Sequence, residues 1–156
     1  MLVKEVMKTK VVVIDKEMTC RDAAQVLLQH KISGAPVVDE KNKVVGVISE
    51  KDLFRAVFPN QSEFIENEGA YLDFEKLEQE AKGAGDKKVS EVMSARLITA
   101  TPDTPVLKVG AQMIASGIHR IPVVDGEKLV GMVSRRDIYS KVLKNYFELW
   151  DEVLRE

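Results

Sequence analysis

Short apolar runs and helically spaced apolar residues follow one another along the chain, and the same succession occurs twice. Runs at Val11–Ile14 and Leu97–Ala100 predict a short strand at the start of each half. A helix is predicted next, beginning at Thr19 in the first half and at Thr104-Pro105 in the second. Asp22 would complete a capping box with Thr19, and proline suits the first helical position. The helical spacing is carried by Ala23, Ala24, Leu27 and Leu28, and by Val109, Met113 and Ile114.

Each half then continues with two strands joined by a short polar connection. The predicted pairs are Ala35–Asp39 with Val44–Ser49, and Ile121–Asp125 with Lys128–Ser134. A second helix follows Ser49 or Ser134. The predicted order is β-α-β-β-α, twice, which is an α/β (α+β) fold.

Sequence identities between the halves indicate an internal duplication. Val3, Glu5, Val6 and Met7 match Val89, Glu91, Val92 and Met93 at an offset of 86, and Pro36–Asp39 match Pro122–Asp125 at the same offset. After one residue is dropped, the match continues to Val57 and Val142. We therefore expect repeats at 3–58 and 89–142, a connector at 59–88 and a C-terminal helical extension at 143–156.

The connector and the extension have no counterpart in the other half. Phe74, Leu77 and Ala81 predict a short amphipathic helix in the connector, ended by Gly83-Ala84-Gly85. This segment is either a solvated link or a lid or docking element. The extension carries an apolar residue every fourth position, at Ile138, Val142, Tyr146, Trp150 and Leu154. That stripe either covers its own repeat or forms a homodimer contact.

Composition and charge narrow the class of protein. Apolar residues make up 45% of 156 residues, and 23 basic against 25 acidic residues give a net charge of −2. This balance argues against a nucleic-acid binder. No stretch is long and apolar enough for a membrane span and no signal peptide is apparent, so we expect a cytoplasmic protein.

The residues for catalysis or for a metal site are missing from the sequence. Only two histidines, His30 and His119, occur, and they are not equivalent in the repeats. Cys20 is the single cysteine; it follows a helix N-cap, where a thiolate is favoured, but no partner is evident. We therefore expect no enzyme, no metal and no catalytic cofactor.

A strand that runs directly into a helix recurs as Gly46–Asp52 and Gly131–Asp137. Its Ser-x-x-Asp pattern is a capping box and needs no ligand to explain it. A helix N-terminus after a strand also suits an anion, and a carboxylate one turn in can accept both hydroxyls of a ribose. Lys51, Arg135 and Arg136 lie beside the motif, so it predicts either a plain cap or a site for ribose and phosphate.

The pair His119-Arg120 enters an apolar strand, where charged residues are unusual unless they face a cleft. Arginine binds phosphate in a bidentate manner, and histidine adds a second donor. The equivalent residues of the first repeat, Ser33-Gly34, carry no charge. The alternative is a strand end that simply reaches solvent.

Together these residues resemble the cystathionine-β-synthase (CBS) domain pair, or Bateman module. The signatures are Val6-Met7 and Val92-Met93, the two Pro-Val-Val-Asp segments and the two Gly-x-x-Ser-x-x-Asp stretches. Residues 118–125 are especially similar to the nucleotide-sensing gamma subunit of AMP-activated protein kinase. The resemblance implies repeats packed about a pseudo-two-fold axis in a stand-alone regulatory protein.

The resemblance also implies AMP, ADP, ATP or S-adenosylmethionine as regulatory ligand, bound in the cleft between the repeats. Ser134 and Asp137 would hold ribose and phosphate, with Thr9, Val11, Val12, Ile32 and Ser33 around the adenine. Ser49 and Asp52 would serve a second site walled by Leu97, Ile98, Ile118 and Pro122. His119 and Arg120 would reach phosphate. Homodimers and signalling through rearrangement of the repeats or dimer are also implied. The alternative is a ligand-free dimeric scaffold with an unknown protein partner.

Overall fold

The computed structural model describes residues 1–58 and 73–148 of the chain. The elements before the connector are a 3-10 helix at Val3–Glu5, β1 (Ile14–Asp15), α1 (Cys20–Gln29), β2 (Gly34–Val38), β3 (Val44–Ser49) and α2 (Glu50–Arg55). Those that follow are α3 (Phe74–Ala81), a 3-10 helix at Lys82–Asp86, α4 (Val89–Val92), α5 (Val106–Ser116), β4 (Arg120–Asp125), β5 (Lys128–Ser134) and α6 (Arg135–Tyr146). The mixed α/β class predicted from the sequence is confirmed.

The strands form two small sheets with equivalent pairing. β2 pairs antiparallel with β3, and β4 pairs antiparallel with β5. β1 adds a parallel strand to β2, with Ile14 opposite Val37. In both hairpins the ladder shifts register, between Val37 and Val38 and between Val123 and Val124.

The first predicted strand of each half is shorter than expected. Of the predicted strand Val11–Ile14, only Ile14 lies in the observed strand β1. Leu97–Ala100 forms no strand and contributes only a single parallel bridge, from Ala100 to Val123. Lys16 N–H extends the first ladder by donating to the Val38 carbonyl at 3.0 Å. The equivalent residue in the second half is Pro102, which has no N–H, so the pairing ends there.

The helix ends follow local sequence with small shifts. Thr19 Oγ1 accepts the Asp22 N–H at 3.2 Å and caps α1, but the predicted capping box is half formed, because the Asp22 side chain does not bond the Thr19 N–H in return. Pro105 is the N-cap of α5 rather than its first residue, because its ψ of 133° is still extended. Gly117 ends α5 with a φ of 69°, a left-handed conformation that glycine adopts without a Cβ clash.

Some apolar positions that indicated helices lie outside the core. Leu28 and Ile114 are 69% and 73% exposed, so helical spacing alone does not place them inside. In the connector, Leu77 is buried on α3. The α-helix ends at Ala81, and a 3-10 helix at Lys82–Asp86 then runs through the predicted stop at Gly83-Ala84-Gly85. Of the C-terminal stripe, Ile138 is buried and Tyr146 is exposed, and Trp150 and Leu154 lie outside the described residues.

The chain divides into two compact units whose boundaries cut across the sequence repeats. One unit contains residues 12–97, and the other contains residues 1–11 together with the chain from residue 98. The segment that opens each repeat therefore folds with the body of the other repeat. Each unit therefore contains parts of both repeats.

Both exchanged segments make the same main-chain hydrogen bonds. Val3 N–H donates to the Thr104 carbonyl at 2.9 Å, and Val89 N–H donates to the Met18 carbonyl at 2.8 Å. Lys8 forms two 2.9 Å bonds with Met132, and Ser94 bonds Val47 in the same way at 3.0 and 3.2 Å.

Methionine and glycine fit together where each exchanged segment crosses its hairpin. A Cβ on Gly131 would lie 2.8 Å from Met7 Sδ, and a Cβ on Gly46 would lie 2.8 Å from both Met93 Sδ and the Ser94 carbonyl oxygen. The Val-Met and Gly-x-x-Ser-x-x-Asp signatures of opposite repeats are thus in contact. The glycine of each signature is required for this close approach.

Each unit has its own hydrophobic core, and the exchanged segment contributes to it. Val3 is fully buried with Val106, Val123 and Ile138. Val89 is fully buried in the equivalent place with Ile14 and Ile48. Burying one valine contributes about 1.5–3 kcal/mol.

We predict that Gly46→Ala lowers the free energy of unfolding by about 1–3 kcal/mol, because the new Cβ would overlap the Ser94 main chain. Gly83→Ala is the matched control: nothing lies within 4 Å of its Cβ, and its stability should be unchanged or raised by up to about 1 kcal/mol. Urea denaturation measures both. Equal stability of the two variants would contradict the close approach.

Candidate functional site

Each unit presents a strand that ends in serine and turns directly into a helix. Asp137 Oδ2 accepts the Ser134 hydroxyl at 2.5 Å and its N–H at 3.2 Å, while Ser134 Oγ accepts the Asp137 N–H at 3.2 Å. Ser49 and Asp52 form the same reciprocal box, with bonds of 2.8, 2.8 and 3.2 Å. The capping interpretation of Ser-x-x-Asp is confirmed, and in each box one carboxylate oxygen is directed away from the serine bonds.

In the second unit that remaining oxygen faces a lysine from the exchanged segment. Lys8 Nζ lies 3.5 Å from Asp137 Oδ1; the Lys8 side chain is 72% exposed and that of Asp137 is 22% exposed. An exposed pair of this kind contributes about 0–1 kcal/mol. The carboxylate is therefore partly buried, held rigidly and only weakly neutralised.

His119 and Arg135 contact each other at the same end of the hairpin. Arg135 Nη1 lies 3.0 Å from His119 Nε2, and Arg135 N–H donates to the His119 carbonyl at 2.8 Å. Because a guanidinium only donates, His119 Nε2 is the acceptor of this bond. Arg120 is directly opposite Ser134 in the ladder. The structure thus gathers three predicted residues, His119, Arg120 and Arg135, around the capping box.

The equivalent end of the first unit has a different charge. Glu50 N–H donates to the Ser33 carbonyl at 3.0 Å, which repeats the Arg135–His119 main-chain bond with an acidic residue in place of the arginine. Ser94 takes the place of Lys8. Among the described residues, no lysine or arginine forms an ion pair with Asp52. Lys51 is exposed on the first turn of α2.

The remaining predicted residues are divided between the two units. Thr9 and Val11 belong to the same unit as Asp137 because of the exchange, although they lie in the other repeat. Ile98, Ile118, Pro122 and Arg136 are also in that unit; Pro122 is buried and Arg136 is exposed. Val12, Ile32, Ser33 and Leu97 belong to the first unit and are partly buried.

Sequence reasoning missed Lys8. Ser94 is the equivalent residue of the second repeat, at an offset of 86, so the difference in charge between the two positions is visible in the sequence. Its proximity to Asp137 is not, because that depends on the exchange. The useful signal would have been a lysine two residues after Val6, beside a signature motif.

Cys20 does not have the environment that its place after a helix cap suggests. The residue is only 4% exposed, and desolvation raises the pKa of its thiol above the ordinary value. It borders a groove of about 490 Å³ between α1, α2 and the end of α3. None of the predicted ligand residues lines that groove. The helix N-cap position would favour a thiolate, but burial of Cys20 acts in the opposite direction.

The part of the chain that the structure describes has neither a metal-ligand cluster nor a membrane-spanning helix. No group of three or more histidine, cysteine, aspartate or glutamate side chains could hold a metal ion within the described ranges. No helix within them is long and apolar enough to cross a membrane.

The model of the CBS domain matches the chain twice, at residues 3–59 and 89–144. The fold and the paired capping boxes thus define a tandem CBS-domain protein, and the chain belongs to the CBS-domain family. The resemblance inferred from the sequence is confirmed.

Relatives and solved structures support the same assignment. An uncharacterized protein of Methanocaldococcus jannaschii is 32% identical over 155 residues, with 92% of each chain covered. The CBS domain of a CBS domain-containing membrane protein from Sphaerobacter thermophilus is 33% identical, with a TM-score of 0.69 and coverage of 89% of this chain and 86% of the other. The CBS domain pair of protein MJ0100, in complex with 5′-methylthioadenosine and S-adenosyl-L-methionine, is 26% identical, with a TM-score of 0.68 and coverage of 94% and 98%.

Some relatives are much longer than this chain. The match spans 22% of the L-aspartate semialdehyde sulfurtransferase and 23% of the inosine-5′-monophosphate dehydrogenase of Methanocaldococcus jannaschii. In those proteins the similarity covers one part of a longer chain.

We predict that Cys20 in the native protein reacts with a thiol reagent at pH 7.5 at least about tenfold more slowly than in the denatured chain, because it is buried and its raised pKa leaves little thiolate. A colorimetric thiol assay with and without denaturant measures both rates. Equal rates would show that Cys20 is accessible.

Proposed function

We propose that this CBS pair is a regulatory module that binds an adenosyl ligand, with the ribose held by Asp137 and the phosphate by the basic residues around it. The observation that carries the proposal is the Ser134–Asp137 box beside Lys8, His119, Arg120 and Arg135. Asp137 Oδ1 has no bond from the serine, and its only ion-pair partner within the described residues is the exposed Lys8. A ribose hydroxyl is a suitable donor to that oxygen.

The charges favour a phosphorylated ligand at Asp137. Lys8, Arg120, Arg135 and Arg136 are cationic and lie in the same unit, and His119 contacts the Arg135 side chain there. Charge-assisted bonds from guanidinium to phosphate are about twice as strong as neutral ones. AMP, ADP and ATP therefore fit this end better than S-adenosylmethionine, which carries a positive sulfonium.

The Asp52 end suits a less anionic ligand. Glu50 and Asp52 are both acidic there, and Ser33 and Ser94 replace His119 and Lys8. The CBS pair of MJ0100 was solved with 5′-methylthioadenosine and S-adenosyl-L-methionine, so a related protein accepts non-phosphorylated adenosyl compounds. We assign this end to that ligand class.

The module acts by binding rather than by catalysis. A ligand that contacts one conformation better than another shifts the population between them, and that shift is the regulatory signal. The proposal places this function in the cytoplasm, where a partner protein reads the conformation.

A homodimer is part of the proposal because equivalent surfaces of both units expose apolar side chains. Leu28 on α1 and Phe54 on α2 are 69% and 66% exposed, and Ile114 on α5 and Tyr139 on α6 are 73% and 37% exposed. Offsets of 86 and 85 relate these pairs. Exposed apolar patches of this kind favour association, and a ligand-free dimeric scaffold would use the same surfaces.

We predict that Asp137→Ala lowers the affinity for ATP at least about tenfold, because it removes the charged acceptor of the ribose hydroxyls. Isothermal titration calorimetry of the full chain measures the affinity and the number of sites. The variant also loses the Asp137 half of the capping box while Ser134 remains the N-cap, so it should lose up to about 1 kcal/mol of stability.

Thr19→Ala is the matched control for the lost cap. Thr19 caps α1 by accepting the Asp22 N–H, so its loss also weakens a helix N-terminus, and it is not a predicted ligand residue. It should lose about 1 kcal/mol of stability with an unchanged affinity for ATP. If Asp137→Ala also binds ATP with the wild-type affinity and stoichiometry, Asp137 is only a cap and the scaffold alternative is favoured.

We predict that the wild-type chain sediments as a dimer and that the double variant Leu28→Glu/Ile114→Glu is monomeric, because it places charges on both apolar surfaces. Leu107→Glu is the control: Leu107 is 56% exposed on α5, but its equivalent in the first unit is the charged Arg21. Analytical ultracentrifugation distinguishes the two states. A monomeric wild type, or a double variant that remains dimeric, would contradict this surface assignment.

A further inference from the structure

The exchange holds the main chain of Lys8 in a fixed position next to the candidate site. Its N–H and carbonyl both bond Met132 at 2.9 Å, two residues before Ser134. Met7, immediately before it, packs against Gly131. Lys8 therefore differs from an ordinary flexible surface lysine, because only its side chain is free to move.

The Lys8 ammonium lies beside the carboxylate oxygen to which the proposed ribose hydroxyl would donate. It lies 3.5 Å from Asp137 Oδ1, while the other carboxylate oxygen is bonded to Ser134. The Lys8 side chain is 72% exposed, so it can swing away into solvent at little cost.

We propose that Lys8 determines the specificity of the Asp137 end by exchanging partners: it pairs with the carboxylate when no ligand is bound and with a ligand phosphate when the ribose takes that carboxylate. This inference rests on the function proposed above. A nucleoside without phosphate breaks the Lys8–Asp137 pair and offers the ammonium nothing in return. A nucleotide replaces the lost pair with a new one, so Lys8 favours nucleotides over nucleosides.

The first unit provides an internal comparison. Ser94 has the same two main-chain bonds to its hairpin as Lys8, and it follows Met93 as Lys8 follows Met7. It carries no charge to pair with Asp52. The chain therefore contains both versions of this position, and serine is the natural replacement with which to test the lysine.

The test compares Lys8→Ser with wild type by titration calorimetry against ATP and adenosine. Loss of the phosphate contact should weaken ATP binding about five- to tenfold. Release of Asp137 should leave adenosine binding unchanged or tighten it by about two- to threefold. Lys10→Ser is the control: it removes the same charge from the same segment, and Lys10 has no ion-pair partner within the described residues. It should change both affinities less than twofold, roughly the effect of a distant screened charge.

Each outcome bears on a separate claim. Weaker ATP binding without weaker adenosine binding, seen in Lys8→Ser but not in Lys10→Ser, supports the partner exchange. Equal changes for both ligands, no change, or the same effect in Lys10→Ser would overturn it while leaving nucleotide binding intact. If wild type binds neither ATP nor adenosine, the proposed function itself fails, and the inference fails with it.

Discussion

The packing of a methionine against a glycine, made once in each unit, is the contact on which the rest of the structure depends. Met7 and Met93 come from the segments that open the repeats, and Gly131 and Gly46 come from the hairpins of the opposite repeats. This contact and the main-chain bonds beside it bring each segment to its place. Without them, Val3 and Val89 would leave the cores in which they are fully buried. The exchange thus makes each repeat a structural part of the other.

The same arrangement builds the candidate site. Asp137 serves as a helix cap through one oxygen and faces Lys8 with the other, so a residue needed for folding also presents a carboxylate at the surface. Lys8 reaches it only because its segment is exchanged. The first unit repeats the backbone arrangement but has Ser94 and Glu50 where the Asp137 end of the second unit has Lys8 and Arg135. Duplication therefore preserved the frame, while the side chains at its two ends diverged in charge.

The elements of the fold could be predicted from local patterns, whereas their assignment to folded units could not. Apolar runs located β3 and β5, and the Ser-x-x-Asp pattern located the capping boxes of α2 and α6. These features depend on residues close in sequence. Leu97–Ala100 has the composition of a strand but does not form the predicted one. Its pairing ends before Pro102, which has no N–H to donate, and this matters only once the partner strand is known. Leu28 and Ile114 fit the helical pattern yet are exposed. The exchange and the Lys8–Asp137 pair join residues from 47 positions apart (Val47 and Ser94) to 129 positions apart (Lys8 and Asp137), which local periodicity cannot reveal.

An amide-resolved NMR titration of the isotope-labelled chain with ATP tests directly whether a nucleotide binds at Asp137. We predict that the largest chemical-shift changes occur at Lys8, at His119 and Arg120, and at residues 135–137, because these residues surround the proposed ribose and phosphate positions. Saturable shifts confined to that end would locate the ligand there. Shifts centred on α1 and α2, or no saturable shifts at millimolar ATP, would contradict a nucleotide site at Asp137.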